Sequence, residues 1–147
     1  MNKERLDKVI YSLLDGTDKF LLSSTINKNN IVEVFIDGES MVSIQDCINL
    51  ARNIEEEFDR DEEDFELRVS SAGSDKAFKD IRQLIKYIDK ELEFYLPVEK
   101  PFKGRLKSIN NNLLKVEQEK GKGKKKEIIE REIDFEAAEK IKPLIKF

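Results

Sequence analysis

The chain reads as an α+β protein of two small domains. An N-terminal α-β-β-α-β unit over residues 1–74 is followed, at residues 75–147, by a short leading helix and a small SH3/Sm-like β-barrel. Three observations predict this. Helical and alternating hydrophobic patterns succeed one another in the first half. Five short strand patterns separated by turn signals crowd into about the last 55 residues. Between the halves the charge changes sign. Residues 1–75 carry 8 Lys and Arg against 18 Asp and Glu, a net −10; residues 76–147 carry 19 against 13, a net +6.

The elements follow in order. Leu6, Val9, Ile10, Leu13 and Leu14 keep helical spacing and predict a helix over about Asn2–Leu14, ended by Asp15-Gly16. Phe20–Ile26 and Ile31–Asp37 read as strands joined by the hairpin material Asn27–Asn30, with Val32, Val34 and Ile36 on one face. Ser43, three residues before Asp46, resembles a capping box and opens a second helix to Phe58. Its apolar stripe is read as Ile44, Cys47, Ile48, Ala51, Ile54 and Phe58. A strand at Asp64–Ser70 closes the unit. After the break at Ala72-Gly73-Ser74, the residues Phe78, Ile81, Leu84, Ile85 and Ile88 predict a short connecting helix. Strands are then expected at Glu91–Leu96, Phe102–Asn110, Asn112–Gln118, Lys126–Ile133 and Lys140–Lys146, with a one-turn link at Asp134–Ala138.

Composition excludes several classes of function. The chain has no histidine, so Ser–His–Asp and Cys–His nucleophilic arrangements cannot be assembled from it. Its single cysteine, Cys47, can form neither an internal disulfide nor a cysteine-based zinc site, and is read as a small core residue. The acids lack the EF-hand pattern, so no metal and no cofactor are expected. No run of about 18 apolar residues indicates a membrane span, and the first residues lack a secretory apolar stretch. A cytoplasmic, non-enzymatic protein is expected.

Two charge clusters stand out. Lys120-Gly-Lys-Gly-Lys-Lys-Lys126 holds five lysines in seven residues. It reads as an adaptable cationic tip for a phosphate backbone, against the plainer reading of a solvated hairpin end. No aromatic interrupts the run, so base stacking is not suggested there. Glu55–Asp64 holds eight acids in ten residues at a helix end. It reads either as a docking face for a basic partner or as a solvated surface.

The segment Phe65-Glu-Leu-Arg-Val-Ser-Ser-Ala-Gly-Ser-Asp-Lys-Ala-Phe78 resembles the signature of the ribosome maturation factor RimP family, Val-Ser-Ser-Pro-Gly-Leu-Asp-Arg-Pro-Leu. Val69, Ser70, Ser71, Gly73 and Asp75 match it, and Lys76 stands for Arg. Ala72 and Ala77 stand where the family has proline, and Ser74 where it has leucine. Val34–Asp37 followed by Val42–Cys47, and Phe102-Lys-Gly-Arg-Leu106, resemble two further family motifs in the same order.

The resemblance implies a non-catalytic assembly factor that binds the free small (30S) ribosomal subunit and promotes its late maturation, acting as a monomer. Its partners would be 16S rRNA and a basic ribosomal protein. On that reading Ser70, Ser71, Gly73 and Asp75 form the interdomain signature turn. Lys103, Arg105, Lys120, Lys122, Lys124, Lys125 and Lys126 are the rRNA-contact candidates. Glu55, Glu56, Asp59, Glu62 and Glu63 are the candidates for contact with the ribosomal protein. The alternative is a general RNA-binding or chaperone module using an Sm-like barrel.

Overall fold

The computed structural model describes residues 1–71, 76–121 and 123–144. The chain is mixed α and β and divides into two compact units, Met1–Ala72 and Gly73–Phe147, each with its own core.

The first unit runs α1 (Lys3–Leu14), β1 (Lys19–Ile26), β2 (Ile31–Gly38), α2 (Ile44–Glu57) and β3 (Glu66–Ser71). Asn2 caps α1, its side chain accepting from the Arg5 amide at 3.2 Å. Gly16, at φ +79°, takes the left-handed conformation that commonly ends a helix. Between β1 and β2 the Asn27 carboxamide accepts from the amides of Asn29 (2.8 Å) and Ile31 (3.0 Å) and so builds the hairpin turn. The three strands lie in the order β1-β2-β3, antiparallel then parallel. A parallel pair needs a long crossover, and α2 supplies it. Val32, Val34 and Ile36 of the central strand are buried against Leu6 and Ile10 of α1, Leu50 and Ile54 of α2, and Phe65.

The buried face of α2 differs from the expected stripe. Ile44 is 81% exposed and Ile48 45%, whereas Leu50 and Ile54 are buried, with Cys47 and Phe58 packed at the margin. At 3.6 residues per turn Ile48 lies roughly 200° round the axis from Leu50. The helix therefore offers two apolar faces, and Leu50-x-x-x-Ile54-x-x-x-Phe58 is the one that meets the sheet.

The second unit opens with a 3₁₀ turn, Ile81–Tyr87, in place of the expected α-helix. Three residues per turn align Ile81, Leu84 and Tyr87 on the core and leave Ile85 and Ile88 partly exposed. Five antiparallel strands follow: β4 (Glu91–Tyr95), β5 (Phe102–Asn110), β6 (Leu113–Lys120), β7 (Glu127–Asp134) and β8 (Lys140–Pro143). Their order is β7-β6-β5-β4-β8. Among the described residues β7 and β8 are open edges, and no hydrogen-bonded pairing closes the sheet into a barrel. Leu92, Phe94, Leu106, Leu114, Val116, Ile133 and Ile141 fill one side together with Leu84. Asp134–Ala138 forms a hydrogen-bonded turn, the Ala137 amide donating to the Asp134 carbonyl at 3.1 Å.

Candidate nucleic-acid interface and acidic face

Strand alternation sorts the second sheet into a core side and an outer side. On β4, Leu92 and Phe94 point inward, which turns Glu91, Glu93 and Tyr95 outward. On β8, Ile141 points inward between Lys140 and Lys142. The register sets these side chains in rows: Lys140 beside Tyr95, Lys142 beside Glu93 beside Lys103, and Glu91 beside Arg105 beside Glu117 beside Glu130.

The rows differ in charge. In the last, Arg105 lies 3.5 Å from Glu91 and also donates to the Asp89 carbonyl. Lys107 binds the Asp89 carboxylate at 2.7 Å; this contact holds the Asp89 carboxyl below its ordinary range and Lys107 above its own. Arg105 is thus largely engaged within the protein, while Lys103 is exposed.

At the opposite end of the outer face, the Lys140 ammonium sits 4.5 Å from the Tyr95 ring centroid and that of Lys142 6.0 Å. The Tyr95 hydroxyl donates to Glu93 at 3.1 Å, and this hydrogen bond holds the phenol above its usual pKa. Tyr95, Lys140 and Lys142 escaped the sequence reading. The signal available was the alternation itself, Leu92/Phe94 against Glu93/Tyr95 and Ile141 between two lysines.

The lysine-rich segment lies beyond the last β6–β7 pair, Lys120 with Glu127. Gly121 and Gly123 adopt positive φ, +97° and +65°, which glycine accepts without strain. A 3₁₀ turn spans Gly123–Lys125. Lys120, Lys124 and Lys126 are exposed; the Lys126 ammonium is 3.7 Å from Glu119. Lys122 lies outside the described residues. Because all neighbouring strands are antiparallel, this hairpin tip is at the same end of the sheet as Tyr95, Phe102 and Lys140. At that end Arg131 pairs with Glu99 through two hydrogen bonds (3.0 and 2.8 Å) and covers the Phe102 ring at 4.6 Å. Arg131, and further off Lys120, lower the Glu99 pKa.

On the first unit, a surface groove at the end of α2 is lined by Glu55, Glu56, Glu57, Asp59 and Glu62, and also by Arg5, Arg52 and Arg60. Arg60 binds Glu55 at 2.9 Å and stacks over Phe65; Arg5 stacks over Phe58 and donates to the Glu57 carbonyl at 3.1 Å. Glu63 binds the N-terminal ammonium and the Asn30 carboxamide. The acidic run therefore carries its own arginines, and all eight of its acids are exposed.

Ser70 and Ser71 are exposed at the end of β3, in parallel register with Phe35 and Ile36 of β2. Gly73 and Asp75 lie outside the described residues. Cys47 is half-buried, and burial pushes its thiol pKa up, the opposite of an activated nucleophile. Among the described residues no group of three or more acidic or cysteine side chains is placed to hold a metal, and no helix is long and apolar enough to cross a membrane.

Residues 10–75 match the model of the RimP N-terminal domain. The chain is 34% identical over 138 residues to the ribosome maturation factor RimP of Christiangramia forsetii, covering 90% of each chain. It is 37% identical over 92 residues to that of Flavobacterium psychrophilum (62% and 60% covered). It is 32% identical over 117 residues to that of Porphyromonas gingivalis (80% and 77%).

Proposed function

The chain belongs to the RimP family of ribosome maturation factors, and on that premise we propose that it binds the free small (30S) ribosomal subunit and promotes its late maturation by binding alone. The observation that carries this reading is the likeness along nine-tenths of both chains to a protein named for ribosome maturation. The mechanism is a population shift: the factor binds one assembly conformation more tightly than its competitors and thereby raises its share. The protein works in the cytoplasm as a monomer, without a cofactor.

The two units divide the labour by charge. The second, at +5, supplies cations for 16S rRNA, led by Lys103 and the tip lysines Lys120, Lys122, Lys124, Lys125 and Lys126. Arg105 contributes less, since carboxylate and carbonyl groups already engage it. The first unit, at −9, offers Glu56, Asp59 and Glu62, flanked by Glu55 and Glu63, to a basic ribosomal protein. The signature at Ser70, Ser71, Gly73 and Asp75 serves as the turn joining the units. The strand order β7-β6-β5-β4-β8 supports a small SH3/Sm-like barrel with an open seam.

Equilibrium binding to purified small subunits tests this division. Lys120→Glu with Lys124→Glu should weaken binding by at least tenfold in low salt and flatten the salt dependence by about two phosphate contacts. An unchanged affinity and salt slope would remove the tip from the interface.

A further inference from the structure

The outer face at the tip end of the second sheet combines an aromatic ring with three lysines, and the geometry points to a binding site there for single-stranded RNA. An unpaired nucleobase stacks on Tyr95, and the flanking phosphates are held by Lys140, Lys142 and Lys103. This rests on the proposed role at the small subunit and specifies which kind of RNA the second unit reads.

Three observations carry the site. The Tyr95 ring already holds two ammonium groups near its face, at 4.5 and 6.0 Å, so the ring is presented to a cationic surface and not packed away in the core. Base–aromatic stacking is stronger than a solvated cation–π contact, so an incoming base displaces the lysines from the ring. The displaced ammonium groups then lie where the phosphates on either side of that base pass. Glu93 is flanked in register by Lys142 and Lys103 and accepts the Tyr95 hydroxyl, while Glu119, which lines a surface pocket with Lys103, is itself 3.7 Å from the Lys126 ammonium. The Glu93 charge is answered within the site, and the hydrogen bond fixes the ring. Lastly, the face is polarised along the strands. Glu91, Glu117 and Glu130 stand in one row at the far end, and the lysines stand at the end shared with the Lys120–Lys126 tip. A phosphate backbone crossing Tyr95 is therefore directed towards the tip lysines and away from that acidic row.

Base-paired RNA keeps its bases stacked on one another and offers no free face to the ring, which separates this site from a general polyanion surface. The test uses the full-length protein and a fluorescently labelled oligouridylate of about ten nucleotides, with an RNA duplex of equal length as comparison. Tyr95→Ala should weaken single-strand binding about tenfold and leave duplex binding unchanged, while Tyr95→Phe, which keeps the ring, stays within about twofold of the original. The chain contains no tryptophan, so Tyr95→Trp installs a lone reporter. Its emission should be quenched by the oligouridylate, whereas that of Tyr11→Trp, exposed on α1 of the other unit, should not. Wild-type affinity in Tyr95→Ala, equal losses for duplex and single strand, or unquenched Tyr95→Trp emission would each overturn the site. Sedimentation with small subunits keeps the two claims apart. If Tyr95→Ala still sediments with them and binds oligouridylate normally, the stacking site alone fails. If the unaltered protein does not sediment with them, the assembly role fails whatever the oligonucleotide does.

Discussion

Ser43 and Asp46 open α2 with a reciprocal pair of hydrogen bonds, the Asp46 amide to the Ser43 hydroxyl at 3.0 Å and the Ser43 amide to the Asp46 carboxylate at 2.9 Å. Ser43→Ala should cost about 1 kcal/mol in urea unfolding of the first unit. The Ser43 amide, more than any other contact, holds the Asp46 carboxyl below its ordinary range. A depressed carboxylate stabilises fully above its unfolded value near pH 4, and that contribution disappears as the pH falls through the lower folded value. The stability gap between the original and Asp46→Asn should be constant near neutrality and shrink in acid; a pH-independent gap would contradict this. This pair was legible because a cap depends on local spacing alone. Ile44 and Ile48 were not: their spacing is equally helical, and only the sheet decides which apolar face of α2 is buried. The intramolecular partners of Arg105 were hidden for a similar reason. Its partners Glu91 and Asp89 sit on or just before the neighbouring strand, brought close by a hairpin register that residue types do not reveal.

The elements themselves were more legible than their partners. Strand β5 was expected at Phe102–Asn110 and is found there, because turn residues bracket it on both sides. The short helix before β4 is 3₁₀, since a seven-residue segment anchored through Ile81, Leu84 and Tyr87 meets the core better at three residues per turn. Within the second sheet Gly104 is required by close approach. A Cβ there would collide with Val116 Cγ1 and lie 3.2 Å from Phe94 Cε2. Gly104→Ala should therefore destabilise the second unit by about 1–3 kcal/mol, by overpacking. Thermal unfolding checks this, and an unchanged midpoint would mean that β5 and β6 separate at no cost. Phe94→Ala removes a fully buried ring that stacks on Phe102, and should cost about 3–5 kcal/mol in the same measurement. What the strand patterns could not convey is lateral order. Placing β8 beside β4, and so Lys140 beside Tyr95, is a long-range pairing with no local signature.

Across the whole chain, the sign change near residue 75 coincides with a division into two cores, so that each unit carries its own charge into binding. On the proposed reading, such a molecule would offer carboxylates to protein and ammonium groups to RNA, a combination matched by a ribonucleoprotein under assembly. The most direct measurement is sucrose-gradient sedimentation of the tagged protein in cell lysate, at low and moderate salt. The expected result is a peak with free small subunits and little in the fractions of complete ribosomes, diminished by charge reversal of Lys120 and Lys124 to Glu. Absence from the small-subunit fractions at both salt concentrations would contradict it.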